Sequence, residues 1–325
     1  MEYITSLKEG KADTCLFGGK ASNIFTLIKN EVNVPSGYAI STKAFALFLE
    51  ESRIKPIIKE IFTKEYNPKE VIEISTKIKK LFLTSEVPSN IISEIQQKHI
   101  KEFSDIDEHN SYVVRSSANY EDSNNFSFAG QAQSFLNIRS ITEIISSIKM
   151  CWSSLFSPQI LLYLIQLNKR GFNITPLNLE MAIIVQRMLK PQVSGVLFTA
   201  NVINNNKDQM MINSTWGLGE TITNNTIIPD MIIIQKNGFE IMKITIGKKE
   251  KTSVANPKGD STILIDTERK YREICSLNSS QLMQIHNLGL KLEALFNYPQ
   301  DIEWAIENNT LYILQSRPIT TLLKK

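Results

Sequence analysis

The stretch at residues 113–137, VVRSSANYEDSNNFSFAGQAQSFLN, decides how this chain is read. Tyr112, Val113 and Val114 are β-prone and lead into Arg115, so the stretch opens as a short strand ending in a fixed cation. Ser116 and Ser117 follow, then an acidic pair (Glu121, Asp122), a polar loop and a small-residue turn at Ala129 and Gly130. A guanidinium at a strand end presents a planar fork to phosphate oxygens. Gly130 lets backbone amides approach an anion with no side chain in the way. The stretch therefore reads as an anion cradle suited to nucleotide phosphates. It reads equally as a surface loop in which Arg115 pairs with Glu121 or Asp122.

Toward the N-terminus, Phe17-Gly18-Gly19-Lys20 precedes apolar residues at Ala21, Ile24, Leu27 and Ile28, the spacing of a helix. Two glycines and a lysine at a helix start make an anion site, because unsatisfied amides and the positive end of the dipole point outward. A glycine turn with a solvated lysine has the same sequence. Thr42 is placed to cap a helix carrying Phe45, Phe48 and Leu49. Residues 52–111 carry helical stripes (Ile57, Ile58, Ile61; then Val71, Ile74, Ile78, Leu81) and read as scaffold, with His99 and His109 as ordinary surface residues. Ser140-Ile141-Thr142-Glu143 is a capping box, and Ser157-Pro158 opens a further helix.

At 325 residues the chain is long for one core, so two lobes are expected. Composition turns β-rich near residue 178, with apolar runs at 181–185, 195–199, 210–213, 231–235 and 241–246. The expected division is 1–179 and 180–325, with residues 186–190 as the link. Trp216-Gly217-Leu218-Gly219-Glu220 interrupts the β pattern with a tight turn ending in a carboxylate, and residues 247–261 read as a lysine-rich flexible loop. Ser279 or Ser280 is expected to cap the last long helix, in which His286 is a partly buried structural residue.

A net charge of +3 without a long basic run does not suggest nucleic-acid binding. Cys15, Cys151 and Cys275 are odd in number and lack a CxxC, so neither a disulfide framework nor a thiolate metal site is implied. The N-terminus is too polar for a signal peptide, and the apolar stretch at 160–167 is too short to span a membrane. A cytoplasmic location is the expectation.

The C-terminal hairpin closes the set. Asp301 and Glu303 share one face of the first strand, and Gln315 and Arg317 share one face of the second. A three-residue turn at 308–310 predicts Glu303 opposite Gln315, whereas a two-residue turn puts it opposite Leu314, on the wrong side of the pleat. A carboxylate and an amide oxygen side by side suit Mg²⁺, with Arg317 as a phosphate cation beyond them. A surface ion pair between Glu303 and Arg317 is the simpler alternative.

In this fixed order, GGKASN (18–23), VPSGYAIST (34–42), VVRSSANYED (113–122), SFAGQAQSFLN (127–137), VQRMLKPQVSGVLFTAN (185–201), WGLGE (216–220) and DIEWAIE…LYILQSRPIT (301–320) resemble the N-terminal ATP-binding domain of the dikinase family. That family includes phosphoenolpyruvate synthase, pyruvate phosphate dikinase and rifampicin phosphotransferase. The resemblance implies an α+β, ATP-grasp-like fold of two lobes with the nucleotide cleft between them. It implies that Lys20, Arg115 and Arg317 bind the phosphates of ATP and act in catalysis, and that Gly130, Gln131 and Ser134 belong to a phosphate loop. Gln186, Arg187 and Met188 would meet the adenine largely through backbone, Glu220 would lie near the nucleotide, and Glu303 and Gln315 would hold Mg²⁺. It further implies transfer of the β-phosphoryl group to a histidine, with release of AMP. Departures are Asn119-Tyr120 after the Arg-Ser-Ser-Ala, Ser123-Asn124 before the loop, and Ala132 after Gln131. None of the three histidines has the family's Thr-Ser-His setting, so the expected acceptor is on a separate histidine-bearing protein or domain. A self-contained kinase of a small molecule or protein, and a non-catalytic ATP-binding module, remain alternatives.

Overall fold

The computed structural model describes residues 2–62, 66–104, 111–119, 133–172, 174–259 and 261–322. Glu121, Asp122, Gly130, Gln131 and His109 lie outside them. The chain forms two compact units, one of Met1–Lys29 with Ser36–Met188 and one of Asn30–Pro35 with Leu189–Lys325.

In the first unit, β1 (Ile4–Ser6), α1 (Thr14–Lys29), β2 (Gly37–Ile40) and α2 (Thr42–Glu51) are followed by the scaffold helices α3 (Ile54–Ile61), α4 (Pro68–Thr84) and α5 (Ser89–Phe103). Then come β3 (Tyr112–Ala118), β4 (Ser134–Ile138), α6 (Ile141–Ser154), α7 (Pro158–Lys169) and β5 (Met181–Arg187). The strands make an antiparallel sheet in the order β1-β2-β5-β3-β4. Rings of Phe45, Phe48, Phe82, Trp152 and Phe156 interlock in the core, with Phe48 and Trp152 centroids 5.0 Å apart. The capping box at Ser140 and Glu143 forms as expected, and the Ser157 hydroxyl caps α7. Two caps fall one residue earlier than read. Ser41 stands at the N-cap position of α2 without a side-chain cap bond, while the Thr42 hydroxyl donates to the Cys15 carbonyl. Asn278 forms a capping box with Gln281 at the last long helix.

The expected boundary at 179/180 is displaced to Met188/Leu189. The cause is β5, whose Met181-Ala182-Ile183-Ile184-Val185 run is buried on both faces between β2 and β3. A strand covered on both sides reads as an unbroken apolar run, and this one belongs to the first sheet. The supposed link at Gln186 and Arg187 is thus the end of its central strand. His99 is half-buried rather than an ordinary surface residue: it packs edge-on against Tyr38, Phe103 and Tyr112, and burial lowers its pKa to about 4.

The second unit holds β6 (Val193–Phe198), β7 (Gln209–Trp216), α8 (Glu220–Thr223), β8 (Asp230–Gln235), β9 (Glu240–Thr245), β10 (Lys251–Ala255), β11 (Thr262–Asp266), α9 (Arg269–Arg272), α10 (Ser279–Phe296), β12 (Gln300–Glu307) and β13 (Thr310–Pro318). Its antiparallel sheet runs β13-β12-β6-β7-β8-β9, and α10 packs on it where Gly289 approaches Leu197 and Met210. As expected, His286 is a buried structural residue, bonded to the Lys236 carbonyl at 2.9 Å.

Most of the lysine-rich stretch, residues 247–259, is ordered rather than a flexible loop. It contains β10, paired with β11. At its root Lys249 and Asp230 are both fully buried and 2.5 Å apart. Asp230 Oδ1 also accepts the Gly247 amide, and Oδ2 accepts the Ser276 amide and hydroxyl. The ammonium donates further to the carbonyls of Gly247 and Arg272. A buried pair this fully bonded is tolerated, but removal of one partner strands the other's charge. Lys249→Met is therefore expected to cost about 3–5 kcal/mol in urea unfolding, and adding Asp230→Asn to that variant should recover part of the loss.

Candidate functional site

The first cluster is built where α1 meets the end of β3. Gly18 breaks α1 with φ 70° and ψ 175°, so a fresh helix starts behind it. That φ is left-handed and favours glycine. Space demands glycine as well, because a Cβ on Gly18 would lie 2.2 Å from the Ser117 carbonyl oxygen. The Ser117 hydroxyl donates to the Phe17 carbonyl at 2.7 Å and accepts the Ala21 amide at 3.1 Å. Lys20, buried to 8% exposure, donates from Nζ to the Ser116 carbonyl at 3.2 Å. The Gly-Gly-Lys and Arg-Ser-Ser motifs, 96 residues apart at Lys20 and Ser116, thus form one structural unit.

Register fixes which side chains share this face. Arg115 is paired with Ser134 on β4 and with Ile184 on β5, and Val113 with Gln186. Strand alternation then puts Val113, Arg115 and Ser117 on one face with Gln186. Arg187 is paired with Tyr112 and takes the opposite face. Its amide donates to the Ser36 carbonyl, and the Met188 amide donates to the Ser111 carbonyl. Met188 is buried, its sulfur accepting from the Ser111 hydroxyl and the Asn137 amide. Base recognition by backbone at Arg187 and Met188 would therefore fall to carbonyls. The Ser116 hydroxyl grips both the amide and the carbonyl of Gln133, which fixes the start of β4 beside β3.

The second cluster lies on the C-terminal hairpin. Glu303 pairs directly with Gln315, and Asp301 with Arg317, as the alternation predicts. The turn does not follow the expectation. Glu307 pairs with Thr310 across a two-residue turn, Asn308-Asn309, both with positive φ. A bulge between Glu303 and Trp304 then shifts the register by one, so that Leu314 is skipped and Gln315 arrives opposite Glu303. Arg317 lies 3.7 Å from Glu303 and 3.9 Å from Asp301, too long for hydrogen bonds but close enough for ionic attraction. Asp301 was not singled out in the sequence; its signal was the shared face with Glu303. Burial lifts its pKa from the ordinary 3.8 to about 6, with Arg317 holding it down and Glu303 adding to the rise.

Glu303, Gln315 and Asp301 supply hard oxygens in adjacent positions, a donor set that fits a Mg²⁺ ion retaining water and phosphate ligands. No cluster of three or more His, Cys, Asp or Glu side chains suited to a metal occurs among the described residues. Glu220 has a different setting: its Oε1 accepts the Ser253 and Thr262 hydroxyls, tying β10 and β11 to the glycine turn. Gly217 in that turn has φ 71° and packs on the Ser253 backbone.

Against known families, residues 14–325 match the pyruvate phosphate dikinase, AMP/ATP-binding domain. The chain belongs to this family. Its mixed α+β class is the one the resemblance implied. Among dikinase-family relatives it is 31% identical to the phosphoenolpyruvate synthase of Pyrococcus furiosus over 96% of this chain and 43% of that protein. It is 34% identical to the rifampicin phosphotransferase of Bacillus subtilis over 96% of this chain and 35% of that protein. With the probable phosphoenolpyruvate synthase of Methanocaldococcus jannaschii the identity is 32%, over 100% and 27% of the two chains. The chain thus spans less than half the length of these relatives. A structural likeness to D-alanyl-alanine synthetase A from Vibrio cholerae, with a TM-score of 0.29 at 9% identity, covers 71% of this chain and 47% of that one and is too slight to support an argument.

The Asp301 carboxyl is expected to titrate near pH 6 by carbon-13 NMR in metal-free buffer. Its folded pKa is raised, so its contribution to stability is present below about pH 4 and is lost as the pH climbs through about 6. Asp301→Asn should remove that part of the pH dependence, leaving a smaller fall in unfolding free energy between pH 4 and pH 7.

Proposed function

We propose that this chain is an ATP- and Mg²⁺-dependent phosphotransferase module of dikinase type. The observation that carries the proposal is the joint between Gly18-Gly19-Lys20 and Arg115-Ser116-Ser117, which fixes two cations on one small framework. In this reading Lys20, Arg115 and Arg317 neutralise the phosphates. Gly130, Gln131 and Ser134 contribute the phosphate loop, and Gln186, Arg187 and Met188 face the adenine. Glu303 and Gln315 hold the metal, with Asp301 beside them. The ion, when bound, offsets the negative charge of the polyphosphate and orients it for in-line attack. Glu220 acts on the nucleotide indirectly, since its carboxylate is engaged by Ser253 and Thr262.

The finer proposal is that the β-phosphoryl group goes to a histidine on a separate domain or protein, the γ-phosphate to water or phosphate, and AMP is released. Two observations support an external acceptor. Among the described residues, His99 packs edge-on against aromatic rings and His286 is bonded to a backbone carbonyl, so neither of these two is placed as a nucleophile. The relatives' greater length leaves room for an acceptor domain beyond the matched region.

Calorimetry with ATP and MgCl₂ is expected to show binding, and Arg115→Ala to weaken it by about ten- to a hundred-fold through loss of a charge-assisted contact. Unchanged affinity in Arg115→Ala would return the 113–137 stretch to a surface loop. Resolving the nucleotides of a turnover mixture containing a histidine acceptor is expected to show AMP; stoichiometric ADP without AMP favours a self-contained kinase.

A further inference from the structure

We propose that Ser117 is a positioning residue for Lys20, setting nucleotide affinity without touching the nucleotide; this rests on the ATP-binding reading above. The argument begins with Gly18. As the residue before the new helical stretch it stands where a side-chain oxygen ordinarily caps the amide three residues on, and glycine has none. Ser117 supplies that oxygen from another element: its hydroxyl accepts the Ala21 amide. The same hydroxyl donates to the Phe17 carbonyl, on the near side of the turn. One buried oxygen therefore ties both ends of Gly18-Gly19-Lys20 to β3, two residues beyond Arg115.

Both hydrogen-bonding directions of the hydroxyl are used, and Ser117 is fully buried. Gly18 is pressed against the backbone and hydroxyl of Ser117. The neighbouring Ser116 carbonyl receives the lysine ammonium itself. The two serines after Arg115 thus set the offset between two cations that chain connectivity leaves far apart. Pre-organised charges lose less freedom on binding a polyphosphate than charges that must be gathered. Loss of the hydroxyl should then be felt as weaker nucleotide binding that depends on Lys20.

The test measures MgATP affinity by calorimetry for the full chain, Ser117→Ala, Ser117→Cys, Lys20→Ala and the double variant Ser117→Ala/Lys20→Ala. Ser154→Ala removes another buried hydroxyl, one bonded to the Cys151 carbonyl, and controls for general loosening. Ser117→Ala is expected to weaken binding about ten-fold, with Ser117→Cys intermediate because a thiol is a weak donor and acceptor. In the Lys20→Ala background the serine change should add less than about two-fold, since residues acting through one contact are non-additive. Hydrogen exchange at the Ala21 amide should quicken by about ten-fold in Ser117→Ala without nucleotide. If Ser117→Ala does not fold, Ser117→Cys carries the same comparison. Affinity in Ser117→Ala equal to the unaltered chain, a loss matched by Ser154→Ala, or full additivity with Lys20→Ala each overturns the positioning role while leaving the ATP reading in place. Absence of ATP binding by the unaltered chain overturns that reading itself.

Discussion

The contact on which the first unit's chemistry depends is the seat of Gly18 against Ser117. The two segments come so close that no Cβ fits between them, and the glycine adopts a φ other residues resist. From that seat follow the start of the second helical stretch of α1, the bridging of Phe17 and Ala21 by one hydroxyl, and the rest of Lys20 on the Ser116 carbonyl. Arg115 in turn is held between two strands, paired to Ser134 on one side and Ile184 on the other. The cluster is built on a strand and on the start of a helical stretch rather than on free loops. A phosphate site, as proposed for this cluster, gains from charge that is already in place and needs no reorganisation.

The second unit solves a related problem with different means. Its hairpin must put a carboxylate, an amide and a guanidinium on one face of a sheet whose other face is apolar. A tight Asn308-Asn309 turn alone would bring Leu314 opposite Glu303; the bulge beside Trp304 absorbs one residue and restores the polar pairing. Bulges re-aim side chains at the cost of one ladder interaction. Elsewhere in the unit, the Asp230–Lys249 pair anchors β10 and β11 to β8, and Glu220 fastens the same ribbon to the glycine turn. An ordered ribbon thus replaces what composition alone describes as a lysine-rich loop.

Several features were legible because they rest on local rules. The Ser140-to-Glu143 capping box, the proline-started α7 and the helical stripes of residues 52–103 need only neighbours within a few residues. The caps expected at Thr42 and at Ser279 or Ser280 show the limit of the same rules, since the entering backbone puts the N-cap position one residue earlier, at Ser41 and Asn278. His99 escaped because its burial comes from Tyr38 and Tyr112, which no local pattern joins to α5.

By itself the sequence determined the family, the α+β class and the expectation of two units, because motif order and composition are properties of the chain; the pairing of Glu303 with Gln315 waited on the bulge. Tertiary structure alone decided the rest. It assigned the apolar run of β5 to the first sheet, buried Lys249 beside Asp230, engaged the Glu220 carboxylate, and made Ser117 the cap that Gly18 lacks. Each of these depends on a partner distant in sequence, and a residue's own type does not say which partner it will meet.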